Sequence, residues 1–337
     1  MERTPVTHIK TEFGSIRGTS SHHYNPAMIL CDRHATEDAG DCFGLCLAYS
    51  GSFTAMAQKD QRDQIRVQMG INPYQFRWCL TGGETFFAPQ VILSFSNQGF
   101  SKLSHQYHDI LHEHMCRGRY KHERRPVLIN NWEATYFNFT EEKLLQLASR
   151  AQKCGIELFV LDDGWFGARS SSKAGLGDWE ANRDRLPNGL SGLAQKIEAL
   201  GMKFGLWIEP EMVNADSDLF RTHPDWILQV PGRTPCHGRY QYVLDFSRQE
   251  ILDYIYEKIV SILEGASISY IKWDMNRSLS DVWSRGVSAR QQGEVFHRYI
   301  LGVYQMYERL TTRFPDILFE SCASGGARFD AGMLYYA

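Results

Sequence analysis

The chain has 337 residues, a formal net charge of -3 and a hydrophobic share of 43%. That balance excludes the basic footprint that nucleic acid or an anionic membrane surface demands. No run of about 18 apolar residues is present to span a bilayer, and the length suits one large domain or a barrel with a smaller module.

The first stretch, MERTPVTHIKTEFGS, is polar and lacks the apolar core of a signal peptide. Residues 1–98 then read as β. CFGLCLAYSG, SFTAMAQK, QIRVQMGI and FFAPQVILSFSN are rich in aromatic and β-branched residues, with turn pairs such as Ser50-Gly51 and Gly82-Gly83 between them. They predict part of an antiparallel β-sandwich. Residues 99–125 predict a linker: a helix from Phe100 to Arg117, then the charged KHERRP ended by Pro126. His108 and His112 in HDILHEH share a helix face; without an acidic third ligand in a known pattern, a solvated face is expected, not a metal site.

From 126 to 337 short apolar runs alternate with amphipathic helices. The runs are VLIN, LFVLD, FGLWIE, YIKWD and ILFES. Thr140 is a good N-cap for the first helix, with Glu141 and Glu142 in its first turn and Gly155 at its end. Later helices carry Leu193 and Ile197, then Ile251, Ile255, Ile259 and Ile262, then Phe296, Ile300, Val303, Tyr307 and Leu310. Near-continuous apolar strands between helices predict an α/β fold with a parallel sheet, most simply a (β/α)8 TIM barrel. About five strands are legible where eight are needed, so the barrel is expected to be incomplete. The eight cysteines (Cys31, Cys42, Cys46, Cys79, Cys116, Cys154, Cys236 and Cys322) form no CxxC pair and no Cys/His ligand spacing. Reduced thiols in the cytoplasm are expected, and the sequons at Asn138 and Asn276 then carry no glycan.

Each apolar run closes on polar groups. Asn130, Asn131 and Trp132 follow the first; Asp162, Asp163 and Trp165 the second; Trp207, Glu209 and Glu211 the third. Lys272, Asp274 and Asn276 close the fourth, and Glu320 and Cys322 the fifth. In a barrel all of these converge on the C-terminal face. Singly, each has a structural reading: DDG as a turn, a carboxylate as a cap, EPE as a helix start with Pro210. Together, carboxylates mixed with flat indole rings suit a sugar, whose hydroxyls need acids and amides and whose C–H faces stack on tryptophan. Side chains two apart on a strand share a face, so Lys272 would stand beside Asp274 and keep it ionised, as a glycosidase nucleophile requires. Asp245 is the next carboxylate weighed for that role.

These residues resemble the α-galactosidases of glycoside hydrolase family 36, the bacterial members most closely. The resemblance runs from SHHYNPAMIL, AYSGSF and GINPYQF through RPVLINNWEATYF, ELFVLDDGWFGAR, GDWEANRDRLPNGL, GLWIEPEMVN and YVLDFSR to YIKWDMNRS and FESCASGGARFDAGMLYY. It implies that Asp274 is the nucleophile of a retaining mechanism without metal or other cofactor. It implies that Lys272 and Asn276 bind sugar, that Asp162 and Asp163 grip galactose hydroxyls, and that Trp132 and Trp207 wall the pocket. Arg239 would contact the sugar, and Cys322 and Gly325 would lie beside its 2-position. The implied substrates are α-galactoside oligosaccharides of the melibiose and raffinose type, and the intact enzyme would be a homo-oligomer, a tetramer. Ala331 in RFDAG stands where the family usually has proline. The family's acid/base aspartate lies in a WTSD motif after GMLYY, so it is expected beyond Ala337; Asp330 and Glu320 do not match it. The preceding sandwich also looks shortened, so an internal piece of the enzyme is expected, inactive alone on natural substrates. The alternatives are an α-N-acetylgalactosaminidase or transglycosylating relative, and a non-catalytic sugar-binding remnant.

Overall fold

The computed structural model describes residues 3–337. It comprises two units. One holds the residues up to Arg117 with Ser288–Ile300 and Gly326–Tyr336; the other holds Gly118–Val287 and Leu301–Gly325.

In the first unit, strands β1 (Thr11–Gly14), β2 (Ala27–Cys31), β3 (Cys42–Leu47), β4 (Phe53–Lys59), β5 (Ile65–Ile71) and β6 (Val91–Ser96) make two three-stranded antiparallel sheets, ordered β1-β4-β5 and β2-β3-β6. Alternation drives them: Phe53, Ala55 and Ala57 of β4 are buried while Thr54 and Met56 between them are only half-buried. The four runs read as β are β3 to β6; β1 and β2 are short segments without a comparable sequence signal. Helix α1 (Gly99–Ile110) packs Phe100 and Leu103 on Ala35 and Cys42. The predicted helix to Arg117 breaks earlier than expected. It widens into a π turn over Leu111–Met115, where the Cys116 amide donates to the Leu111 carbonyl at 2.8 Å, and then becomes extended.

The buried carboxyl of Asp330 accepts hydrogen bonds from the Ser20 and Ser50 hydroxyls at 2.7 and 2.6 Å and from the Met333 amide at 3.0 Å. Burial nevertheless pushes it up to about 6. The folded chain therefore holds a proton that the unfolded chain has released, so this group stabilises the fold below about pH 4 and the effect is lost as pH rises through 6. Asp330→Asn should flatten that decline, worth about 3 kcal/mol, in urea midpoints measured across the range.

The second unit is built on β7 (Leu128–Asn130), β8 (Leu158–Leu161), β9 (Lys203–Ile208), β12 (Tyr270–Trp273) and β13 (Leu318–Ser321), with a separate antiparallel hairpin of β10 (Met212–Asn214) and β11 (Gln241–Val243). The five strands are parallel and lie side by side in chain order. That single winding is the order of a barrel wall; a doubly wound sheet would reverse. The unit is thus part of a (β/α)8 barrel. Its helices are α2 (Trp132–Thr135), α3 (Glu141–Lys153), α4 (Gly189–Ala199), α5 (Asp218–Thr222) and α6 (Gln249–Gly265), with the later part of α7 (Val295–Arg313). Thr140 caps α3 as its sequence foretold, accepting from the Lys143 amide at 3.3 Å. All four β8 side chains are buried, as expected of a strand covered on both faces. No helix among the described residues is long and apolar enough to cross a membrane.

Two glycines set close approaches. A Cβ on Gly205 would meet the Tyr270 ring at 2.9 Å and the Val160 methyl at 3.2 Å, where barrel-facing side chains crowd. A Cβ on Gly302 would sit 1.9 Å from the Phe246 carbonyl oxygen. In an exposed helix Gly→Ala gains about 1 kcal/mol of propensity. Here the backbone clash dominates, so Gly302→Ala should destabilise by roughly 1–3 kcal/mol, seen as a lower Tm.

Candidate active site

Register dictates what faces inward. Across the sheet Gly205 pairs with Tyr270, and Tyr270 with Leu318; two residues further on, Trp207 pairs with Lys272 and Lys272 with Glu320. Leu158, Val160, Tyr270 and Leu318 form an apolar layer. Period two then carries the inward face to Asp162, Trp207, Lys272 and Glu320, and next to Glu209, Asp274 and Cys322. The five motifs that close the strands thus occupy the same end of the sheet.

Lys272 and Asp162 form an ion pair at 2.9 Å from β12 to the end of β8. Asn130 donates to the same Asp162 oxygen at 2.5 Å, and the Asn131 side chain accepts from the Asp162 amide at 2.7 Å. Desolvation pulls the Lys272 ammonium down, but Asp162 and Asp274 outweigh it and hold Lys272 above its ordinary value. Asp274 is buried and accepts from Trp207 Nε1 at 3.1 Å, Asn276 Nδ2 at 2.7 Å, and the Met275 and Ser324 amides at 2.9 and 3.2 Å. Burial alone would raise its carboxyl. Hydrogen bonds from Cys322, Asn276 and Trp207, with the Lys272 charge, reverse the sign and hold it below the usual carboxylate range.

The expected neighbours divide into several roles. Trp207 and Asn276 touch Asp274 directly. Cys322 donates to Asp274, and its sulfur accepts from the Gly325 amide at 3.4 Å. Burial and the Asp274 charge push the Cys322 thiol up to about 12, so it remains a neutral donor. Trp132 is half-buried at the end of β7 and packs edge-on to Tyr136 and Phe137. Asp163 has both oxygens on Arg169, at 2.6 and 2.7 Å. Arg239 lies on an exposed left-handed turn just before β11. Asp245 is buried and accepts from the Ser247 hydroxyl at 2.5 Å and its amide at 3.2 Å, an arrangement of a turn clasp. Among the described residues no cluster of three or more His, Cys, Asp or Glu could hold a metal ion.

Two contributors escape a reading of the sequence, and a third, Glu209, was placed at a strand end but given no role. Arg169 stands six residues beyond Asp163 in an irregular loop, and only folding aims it back, where it also donates to Asn214 at 2.8 Å. Ser324 donates its hydroxyl to Asn276 at 2.6 Å. Glu209 is fully buried; burial and the Asp274 charge push it up to about 8. Its signal was present in its parity with Trp207.

The Asp163–Arg169 pair yields a test. Burial raises the Asp163 carboxyl even against the guanidinium beside it. Removing that guanidinium leaves a buried carboxylate without its cation, which typically costs about 3–5 kcal/mol. Arg169→Met should therefore destabilise strongly at neutral pH. It should recover towards acid pH, because a carboxyl whose folded value is raised is stabilising below its unfolded value and loses this as pH rises. Urea unfolding at both pH values checks it.

Comparison with known proteins places this arrangement. The Melibiase family model matches residues 85–337, and the glycosyl hydrolase family 36 N-terminal domain matches residues 1–81. The bifunctional alpha-galactosidase/sucrose kinase AgaSK of Mediterraneibacter gnavus is 50% identical over 100% of this chain and 35% of its own length. Alpha-galactosidase AgaA of Geobacillus stearothermophilus is 49% identical over 100% of this chain and 46% of its own. The crystal structure of AgaA superposes with a TM-score of 0.98 at 49% identity, covering 99% of this chain and 47% of that one. A substituted form of AgaA, solved in complex with raffinose, gives the same TM-score, identity and coverage. The chain therefore spans about half or less of the length of these relatives. With most of its residues matched by one family model and the rest largely by that family's N-terminal domain, the chain belongs to the melibiase family, glycosyl hydrolase family 36.

Proposed function

We propose that the protein is a retaining α-galactosidase that cleaves terminal α-galactosyl residues from melibiose- and raffinose-type oligosaccharides through a covalent galactosyl-enzyme. The observation that carries this reading is the state of Asp274: a buried carboxylate at a strand end, held ionised by five donors, the Cys322 thiol among them, and the Lys272 charge. An oxygen of Asp274 attacks the anomeric carbon while the aglycone oxygen departs with the bonding pair and takes a proton from a general acid. Water then attacks the anomeric carbon, gives a proton to the conjugate base of that acid, and releases the Asp274 carboxylate. The names of AgaSK and AgaA, and the raffinose bound to AgaA, support the substrate class.

In this reading Asp162 and Lys272, already paired, take the galactose hydroxyls, with Asp163 contributing through the lone pairs that Arg169 leaves. Asn276 serves sugar as well as nucleophile. Trp132 and Trp207 wall the pocket, Arg239 contacts the sugar, and Cys322 and Gly325 border its 2-position. The general acid is expected from sequence beyond these residues. Glu209 is not suited to the role, since both its oxygens are engaged by protein groups away from solvent. The intact protein is proposed to be a homo-oligomer, a tetramer, in the cytoplasm; the eight free thiols agree with a reducing compartment.

Asp274→Asn keeps shape but removes the nucleophile, so hydrolysis of an aryl α-galactoside by the intact protein should fall by about three or more orders of magnitude. Mass spectrometry after exposure to a 5-fluoro-α-galactosyl fluoride, whose ring fluorine slows release of the sugar, should find a fluorohexosyl adduct on Asp274. Variant activity within about tenfold of the parent would overturn the assignment. Faster cleavage of the aryl α-N-acetylgalactosaminide would point to the acetamido sugar, a disaccharide product would mark a transglycosylase, and tight sugar binding without turnover would mark a binding remnant.

A further inference from the structure

Beyond the nucleophile and its donors lies a second carboxyl that sugar binding does not use. Glu209 follows β9 and has 0% exposure. One oxygen accepts the backbone amide of Asn276 at 2.6 Å; the other accepts Gln241 Nε2 of β11 at 2.8 Å. Asn276 in turn bridges the nucleophile: its Nδ2 donates to Asp274 at 2.7 Å and its Oδ1 accepts from Ser324 at 2.6 Å. The loop after β12 is therefore held at Asn276 by the carboxyl that follows β9, in addition to the Trp207 contact with Asp274.

The charged groups that face Glu209 are Asp274, after β12, and Asp163 and Arg169, in the loop after β8. Arg169 is already engaged by both Asp163 oxygens. A second anion at Glu209 would be buried beside the Asp274 carboxylate with two neutral donors, an arrangement whose desolvation the available contacts do not offset. Gln241 supplies a complementary feature: its Oε1 is buried without a partner. Rotation of that amide would turn the oxygen toward Glu209, where a protonated carboxyl can donate to it.

We infer that Glu209 is a positioning residue for Asp274: a proton-bearing carboxyl that fixes the Asn276 backbone and, through it, the orientation of the nucleophile. The inference rests on the α-galactosidase reading for its kinetic consequence, but not for its proton. When Glu209 ionises, repulsion between two buried carboxylates disturbs the Asn276–Asp274 contact, and nucleophilic attack slows on the alkaline side. Burial and the Asp274 charge push Glu209 up to about 8, which sets where this limb falls.

The test uses the intact protein and a 5-fluoro-α-galactosyl fluoride, whose ring fluorine slows hydrolysis of the galactosyl-enzyme so that the adduct accumulates. Asp274 forms the bond to the anomeric carbon, and fluoride leaves with the electron pair of the broken C–F bond, so the leaving group's need for a proton is small. Adduct formation on Asp274 is followed by mass spectrometry from acid to alkaline pH. Glu209→Ala should label at least about tenfold more slowly than the parent. Glu209→Gln, which mimics the protonated acid, should recover most of that loss and abolish the alkaline fall. An infrared difference spectrum at neutral pH should show the carbonyl stretch of a protonated carboxylic acid in the parent and not in Glu209→Gln. Labelling by Glu209→Ala as fast as the parent, an unchanged alkaline fall in Glu209→Gln, or no infrared difference would each overturn the inference. If the parent itself is never labelled, the α-galactosidase reading fails instead. The infrared band then still supports or overturns the proton on Glu209.

Discussion

A lysine pointing into a barrel must find an anion there. Lys272 on β12 meets Asp162 at the end of β8, and β9 runs between them. An ion pair withdrawn from water is stable only when its geometry is good and its remaining polar atoms are bonded. That demand explains Asn130 on the Asp162 carboxylate, and with Asn131 on the Asp162 amide it ties the ends of β7, β8 and β12 to one another. Moving any of these strands by one residue would turn its charged group onto the helix-covered face, where Trp273 now stacks on Tyr307.

From that anchored register follows an electrostatic contrast between neighbours. Asp274 and Glu209 lie at adjacent strand ends and both are buried. Asp274 gathers donors on both oxygens and has a cation on its own strand; Glu209 has one amide on each oxygen and an anion nearby. One is held low and the other high. Opposed environments are how a protein keeps one carboxyl as a base or nucleophile and another as an acid within a single site. Here the high one lies too deep to reach a substrate, so its proton serves geometry.

The hairpin and loops above the sheet extend the same logic. Asp163 and Arg169 neutralise each other, and Arg169 reaches on to Asn214 of β10. Asn214 also accepts from the Leu176 amide and donates to the Tyr240 carbonyl. A buried arginine fork can satisfy several acceptors at once, and this one joins the loop after β8 to β10. The wall of the site is therefore built from polar contacts, whereas the sheet beneath it is built from apolar ones.

Much of this was legible in the sequence. LFVL, FGLWI and YIKW announce strands buried on both faces, and period two alone puts Lys272 beside Asp274 and Trp207 in step with Glu209. The Thr140 cap follows from local chemistry, because a hydroxyl one residue before a helix has a donor within reach. What the sequence could not supply was every partnership between elements distant in the chain. Nothing local says that Arg169 returns to Asp163, that Ser324 meets Asn276, or that the Glu209 carboxyl holds the Asn276 amide across two strands. The π turn after α1 and the short strands β1 and β2 were also hidden, since tertiary contacts outweigh their weak propensities. Side-chain direction is set by the backbone period and can be read from order alone. Charge state depends on burial and on neighbours, and those exist only once the strands have been brought together in register.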